Sequence, residues 1–403
     1  MSSTHNNNDL IQEHLDQVIA AAMRYKEQLL QGENRSSKHD LVVKAARLYQ
    51  TIRGPADMFF SKFEDVGILG ALRTLLEGGV FHAIPTGGKA ISARDISAET
   101  GVDKDVIVRL MRLATPLGPF RETGKEEYAH TPFSEIYLKP YMMAKYTMII
   151  DEFTTPMLRN HEFLRKHNWQ HRYTARNNPY TMANNCEGET VFQHISKFPD
   201  RFTTFNEAMM AQDSDMIFIS QYPFTEELSP LADESTVTII DVGGGRGHML
   251  RQIKESCPQL KGRFILQDKA TVIAENGSQN QEHGIESMPH DFFQPEPIKG
   301  ALAYYIRRCL HDWPDEPEAR QILENIASAM DPEKSRMLIT EYILSDIGCN
   351  MFDSWTDSTV MTFGGRERTE KDFESLLDKA GLKLVKVWRT PETSVGVIEA
   401  RLK

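Results

Sequence analysis

Apolar residues near the start of the chain recur at helical spacing: Leu10, Ile11, Leu15, Val18, Ile19, Ala22 and Met23 share one face. A polar break from Gln31 to His39 separates them from a second run, Leu41, Val42, Ala45, Ala46, Leu48 and Tyr49, which Gly54-Pro55 should end. The stretch from Met58 to Leu76 is apolar on most faces (Phe59, Phe60, Phe63, Val66, Leu72, Leu75), which predicts a buried helix. Next, Ser92 and Asp95 fit a capping box, Gly101 stops the helix they open, and Asp103 can cap a second helix from Lys104 to Thr115. Segments 120–122 and 127–130 read as a hairpin around Gly124, and Thr131-Pro132 opens another helix. Helix, glycine turn, helix and hairpin outline a winged helix.

Residues 140–220 are helical in pattern and rich in Met, aromatics and His. From Ser235 the texture changes. Short apolar runs at 236–242, 263–267, 285–288, 301–307, 336–342, 383–388 and 396–400 alternate with helical stretches at 247–256, 271–275, 316–330 and 370–380. That alternation predicts a mostly parallel sheet with an antiparallel end.

Composition narrows the function. The formal net charge of -11 argues against broad nucleic-acid binding, which needs a basic surface. A DNA-binding regulator remains an alternative through the winged helix, whose second helix carries Lys104, Arg109 and Arg112. The same helix also carries Asp105 and much apolar surface, as a structural or dimerisation module would. Four cysteines, none in a CxxC pair, suit a reducing compartment. The polar, Asn-rich start lacks a signal peptide's apolar core, so a cytoplasmic protein is expected. His167 and His171 lie one turn apart without an acidic third ligand, and no metal site is expected. The anticipated layout is a disordered tail (1–9), a helical and winged-helix domain (10–140), a helical segment (141–220) and an α/β domain (221–403).

The strongest chemical signal is Ile239-Ile240-Asp241-Val242-Gly243-Gly244-Gly245-Arg246-Gly247-His248, an apolar strand running through four glycines into a helix. Such a bend admits close backbone approach to a ligand, and the helix behind it offers free N–H groups. A P-loop would need Lys-Ser/Thr after Gly247, where His248-Met249 stand. A dinucleotide fingerprint would place its last glycine at His248. S-adenosylmethionine is the third ligand for this architecture. Asp268, about 20 residues past the loop, can hold ribose hydroxyls. That spacing leaves a nicotinamide oxidoreductase open as an alternative.

These motifs, taken in order, resemble the S-adenosylmethionine-dependent O-methyltransferases of plant type, which also occur widely in fungi. The set comprises Asp241–Gly247, Gln267-Asp268, Pro289-His290-Asp291-Phe292-Phe293, Arg307-Arg308-Cys309-Leu310-His311-Asp312-Trp313, Glu341-Tyr342-Ile343-Leu344 and Gly364-Gly365-Arg366-Glu367-Arg368-Thr369. The likeness covers most of 55–403. It implies a Rossmann-like seven-stranded methyltransferase domain after a helical, winged-helix dimerisation domain, hence a homodimer. It further implies that Gly243, Gly244 and Gly245 approach the cofactor, Asp268 holds its ribose, and Asp291 and Phe292 flank its adenine. Arg307 stands where the family commonly has Lys, Phe292 where it often has Met, and Lys269-Ala270 where Leu-Pro usually follows the ribose acid.

A sulfonium methyl is already activated, so the protein's task is in-line geometry and a deprotonated acceptor. A phenol, with its pKa of ~10, needs a base. His311, after the fourth strand and at the same sheet edge as the glycine loop, is the candidate. The resemblance points to Glu341 and Glu367 as carboxylates that orient it, and Thr369 with Asp372 forms a capping box beside Glu367. Phe205 and Met209 resemble the acceptor-facing helix, and Trp169 is a further candidate acceptor contact. The expected activity is methyl transfer to an aromatic hydroxyl of a small molecule. A scaffold that binds cofactor without transfer is disfavoured by the retained His311 and its two glutamates.

Overall fold

Two long helices, Ser2–Gln31 and Arg35–Glu77, open the chain in the computed structural model, which describes residues 2–31, 35–210, 221–389 and 393–403. The first begins inside the tail expected to lack structure. Once nucleated by the amphipathic stretch behind it, a helix extends at little cost per residue. The second helix bends at Gly54, whose φ is +73°, with Pro55 behind it. The expected end is therefore a kink: the proline removes one N–H, and the helix resumes beyond it.

The stretch from Met58 to Leu76 corrects the expectation of a buried helix. Phe59, Phe60 and Phe63 are 62%, 61% and 63% exposed, whereas Ala71, Leu72, Leu75 and Leu76, at its far end, are buried. The three leucines belong to a core that also holds Phe81, Ile96, Ile107, Met111 and Tyr128. The helices Ala93–Thr100 and Lys104–Ala114 start where the capping residues predict. Ser92 accepts from the Asp95 N–H, and Asp103 accepts from those of Asp105 and Val106. Strands β1 (Ala90–Ser92), β2 (Phe120–Gly124) and β3 (Glu127–His130) form a small sheet in the order β1-β3-β2.

The chain divides into Met1–Thr147 and Met148–Lys403. In the second unit, short helices lead to a large sheet. Its strands are β4 (Val237–Val242), β5 (Arg263–Asp268), β6 (Glu286–Pro289), β7 (Ala303–Arg307), β8 (Arg336–Leu344), β9 (Arg368–Thr369), β10 (Leu382–Trp388) and β11 (Val395–Leu402). Seven run in the order β10-β11-β8-β7-β4-β5-β6, and two-residue β9 pairs with β8 as an eighth. The strands from β4 to β8 are parallel, while β11 is antiparallel to both neighbours.

Alternation along each strand splits the core between the two faces. Ile240, Tyr304, Ile306, Met337 and Ile339 pack with Leu323 and Phe373 of the helices Arg320–Ala327 and Glu370–Lys379. Ile239, Phe264, Tyr305 and Leu338 pack on the other face with Leu250 and Ile253 of the helix His248–Ser256. Each fully buried aliphatic side chain stabilises by ~1.5–3 kcal/mol. The strand order reverses between β4 and β7, the point at which open α/β sheets form their crevice at the strands' carboxyl ends. No helix among the described residues is long and apolar enough to cross a membrane.

Candidate active site

The glycine loop leaves β4 at Val242. Gly243 has φ +70°, and its N–H donates to the Gln267 carbonyl at 2.8 Å. A Cβ there would stand 3.1 Å from Cys309 Sγ and 3.4 Å from the Phe292 ring. At Gly244 a Cβ would lie 2.3 Å from the Asp241 carboxylate, so this glycine serves close packing. The Gly245 N–H donates to Oδ2 of Asp268 at 2.8 Å, and the Lys269 N–H donates to Oδ1 at 2.7 Å. Burial pushes the Asp268 carboxyl above the usual range, against the pull of these two N–H groups.

A cavity of about 460 Å³ opens over this loop, lined by Gly243, Asp268, Asp291, Phe292, Phe293 and Trp313 among others. The Phe293 and Trp313 rings meet edge to face at 4.8 Å. An acid with spare lone pairs, a wall where Gly243 leaves no room for a side chain, and a cluster of aromatic rings together fit a nucleoside ligand. Of the predicted cofactor residues, Gly244, Gly245 and Arg307, the last residue of β7, are not among those lining this cavity.

The second cluster lies at the ends of β7 and β8. His311 is 6% exposed, and its Nδ1 lies 2.8 Å from Oε1 of Glu367. Facing an ionised carboxylate, Nδ1 carries the proton and Nε2 is left to accept one. Glu341 has a different task. Its Oε1 accepts the Leu310 N–H at 3.0 Å and the His311 N–H at 3.3 Å, while its Oε2 is 3.9 Å from Nδ1. Glu367 thus pairs with the imidazole, while Glu341 holds the backbone of the turn. Asp312 also faces the ring: its Oδ1 lies 3.2 Å from Nε2. Burial pushes its carboxyl up to about 6.

Burial works against a charged His311, as does Arg308, but Glu341, Glu367 and Asp312 outweigh them and raise its pKa above the ordinary value. Burial also opposes charge on Glu367, yet His311 and Arg308 hold its carboxyl well below the usual range. His311, Glu341 and Glu367 are close enough to hold a cation. The Arg308 guanidinium already sits on both carboxylates, at 2.9 and 3.0 Å.

The two clusters meet through Cys309, whose thiol lies 3.4 Å from the Gly243 carbonyl, and through Trp313, two residues beyond His311. The family model of O-methyltransferase domains matches residues 171–383, and that of O-methyltransferase dimerisation domains matches 68–140. O-methyltransferase afvC of Aspergillus flavus is 38% identical over 371 residues, 92% of this chain and 89% of that protein. The chain belongs to the O-methyltransferase family.

Demethylsterigmatocystin 6-O-methyltransferase, also of Aspergillus flavus, is 28% identical over 82% of this chain and 84% of its own length. The crystal structure of OxaC superposes with a TM-score of 0.93 at 46% identity, covering 98% of this chain and 100% of that one. OxaC has also been solved with SAH and oxaline, and with sinefungin and meleagrin. Neither the nicotinamide oxidoreductase nor the DNA-binding alternative gains support from these relatives. The chain is an S-adenosylmethionine-dependent O-methyltransferase.

The acceptor candidates of this O-methyltransferase fall unevenly. Phe205, on the helix Pro199–Met209, meets the cavity-lining Phe192 edge to face at 5.9 Å. Met209 ends that helix, half-buried and not among the residues lining the cavity. Trp169 is displaced from the site: it is 64% exposed, on a turn after the helix Asn160–Lys166, at φ +59°. Residues 211–220 of the expected acceptor segment lie outside the described residues.

Sequence reasoning assigned no part to Phe192, Lys269, Trp313 or Arg368. The first three line the cavity. Arg368 is fully buried and donates to the carbonyls of Leu310 and Trp313, fixing the turn that carries His311. Its signal was its place beside Glu367 in a quoted motif.

Proposed function

We propose that the enzyme methylates an aromatic hydroxyl of a small molecule, with His311 as general base, and that it acts as a homodimer. The observation that carries this reading is the buried His311–Glu367 pair at 2.8 Å, at the sheet edge that also bears the glycine loop. Bound S-adenosylmethionine supplies an electrophilic sulfonium methyl. Gly243 to Gly245 and Asp268 would hold it, with Asp291 and Phe292 at its adenine. Glu367 fixes the tautomer, so His311 Nε2 takes the acceptor's proton, and the resulting imidazolium is stabilised by Glu367 and Asp312. Excluding water behind Trp313 and Phe292 strengthens those charge interactions. Phe192 and Phe205 offer ring faces to a flat acceptor.

The names of the relatives support a small-molecule acceptor. One acts on demethylsterigmatocystin, and OxaC holds oxaline or meleagrin. Dimer formation is supported by the dimerisation-domain match and by the exposed row of Phe59, Phe60, Phe63 and Val66. The test is incubation with methyl-labelled S-adenosylmethionine and a panel of phenols, read by mass spectrometry. Labelled methyl ethers are expected, and His311→Ala should lose ~10²- to 10⁴-fold in rate while still binding S-adenosylhomocysteine. Transfer by His311→Ala at the unmodified enzyme's rate would remove His311 as base.

A further inference from the structure

Arg308 stands between the last residue of β7 and the His311 turn at φ +50°, a left-handed conformation uncommon for a residue with a long side chain. Its N–H donates to the Thr340 carbonyl at 3.0 Å, which fastens the turn to β8. The side chain is 9% exposed, and its Cζ lies 4.2 Å from the centre of the Tyr342 ring. A single nitrogen, Nη1, donates to Glu341 Oε2 at 2.9 Å and to Glu367 Oε1 at 3.0 Å. The Glu367 oxygen it uses is the one that pairs with His311 Nδ1.

We propose that Arg308 is a positioning residue whose guanidinium offsets one of the two charges of the buried Glu341–Glu367 pair, so that His311 gives up its proton more readily and can act as a base. The inference rests on the reading of His311 as base but concerns a separate property, its charge before reaction. Negative groups face His311 from every element packed against it. Glu341 comes from β8, Glu367 from the segment before β9, and Asp312 from the turn itself. Behind Glu367 stand two acids of the helix Met351–Met361. Asp357 accepts the Glu367 N–H at 3.0 Å, and Asp353 acts on Glu367 through space. Tyr342 lies under Arg308 as a neutral phenol, its pKa pushed up to about 12 by burial. Two buried carboxylates need a counter-charge. With the guanidinium in place, one of the two charges is offset by a group that does not titrate. Without it, the proton on His311 Nε2 becomes the available counter-charge, and a base that holds its proton cannot take one from an acceptor.

The experiment reads the His311 ring directly and needs no acceptor. The full-length enzyme, labelled with ¹³C-histidine, is titrated by NMR, and His311 is assigned by its loss in His311→Ala. Arg308→Met should raise the His311 midpoint by about one pH unit or more. The double variant Arg308→Met/Glu341→Gln removes one charge of each sign and keeps an oxygen for the Leu310 and His311 N–H groups. It should bring the midpoint back toward that of the unmodified enzyme, a rescue that a purely structural arginine would not allow. Arg308→Lys, with a charge but no planar fork, should fall between, and it carries the test if Arg308→Met does not fold. Calorimetric binding of S-adenosylhomocysteine verifies the fold of each variant. A midpoint within about 0.3 units of the unmodified enzyme in Arg308→Met and Arg308→Lys, or a double variant that stays displaced, would overturn the proposal. Methyl transfer by His311→Ala tests the base assignment instead, so the two ideas can fail separately.

Discussion

Replacing Glu367 by Gln gives the most discriminating single perturbation, because it removes a charge and keeps the shape. The carboxylate oxygen at 2.8 Å from His311 Nδ1 also accepts from Arg308 at 3.0 Å, whereas the other oxygen, Oε2, is buried without a hydrogen-bond partner among the described residues. An amide will therefore keep its oxygen toward the arginine and the imidazole and place its NH₂ where Oε2 stood. The histidine tautomer survives, and what disappears is the charge that stabilises the imidazolium. A hydrogen bond to a charged group contributes ~1.5–3 kcal/mol, which corresponds to a loss of about 10- to 150-fold in turnover. The pH profile should move as well. Glu367 raises the His311 pKa, so its removal shifts the acid limb of kcat/KM to lower pH. The assay is release of S-adenosylhomocysteine with a phenolic acceptor across pH, in the native and His311→Ala backgrounds. Glu367 acts through His311, so in the second background the substitution should cost little further. An equal loss in both backgrounds would refute the reasoning.

Other substitutions probe the remaining parts. Gly243→Ala adds a Cβ 3.1 Å from Cys309 Sγ at φ +70°, and the left-handed conformation alone costs ~1–2 kcal/mol. Affinity for S-adenosylhomocysteine, measured by calorimetry, should fall about tenfold or more, and unchanged affinity contradicts the close-approach argument. Asp268→Asn keeps the size but not the charge of the group held by the Gly245 and Lys269 N–H groups, and should weaken the same binding by about 10- to 100-fold. Phe63→Asp, at a residue 63% exposed, should yield monomers in sedimentation velocity if this face joins two copies, and an unaltered dimer places the interface elsewhere. His311 has a raised pKa in the fold, so its contribution to stability is full below pH ~6.5 and lost as pH rises through the folded value. The melting-temperature difference between the native enzyme and His311→Phe should shift in that direction between pH 6 and pH 9.

What could be read in advance was what local chemistry writes into adjacent residues. Ser92, Asp103 and Thr369 cap the helices they were expected to cap. The apolar runs became β4 to β8, β10 and β11 with their ends shifted by only a few residues. The helix Met351–Met361 was missed because its buried face is Asp353, Thr356, Thr359 and Val360, which gives no apolar period. The exposure of Phe59, Phe60 and Phe63 was missed for the opposite reason: a strong apolar pattern does not tell which chain will cover it. Arg307 and Arg308 are indistinguishable as letters. Only a left-handed backbone and two carboxylates brought in from β8 and from the segment before β9 separate them. The division of labour between Glu341 and Glu367 was likewise beyond reach, since it depends on which oxygen faces a ring nitrogen and which faces backbone amides.

The pairing of β4 with β7, Val242 opposite Ile306, joins the glycine loop and the His311 turn across a single ladder of peptide hydrogen bonds. Their separation is as rigid as the sheet itself. The helices ahead of β4, which bring Phe192 and Phe205 to the other side, belong to no such ladder. Lineages descended from one ancestor can therefore remodel that roof to admit differently shaped molecules while the reaction beneath it runs on unaltered machinery.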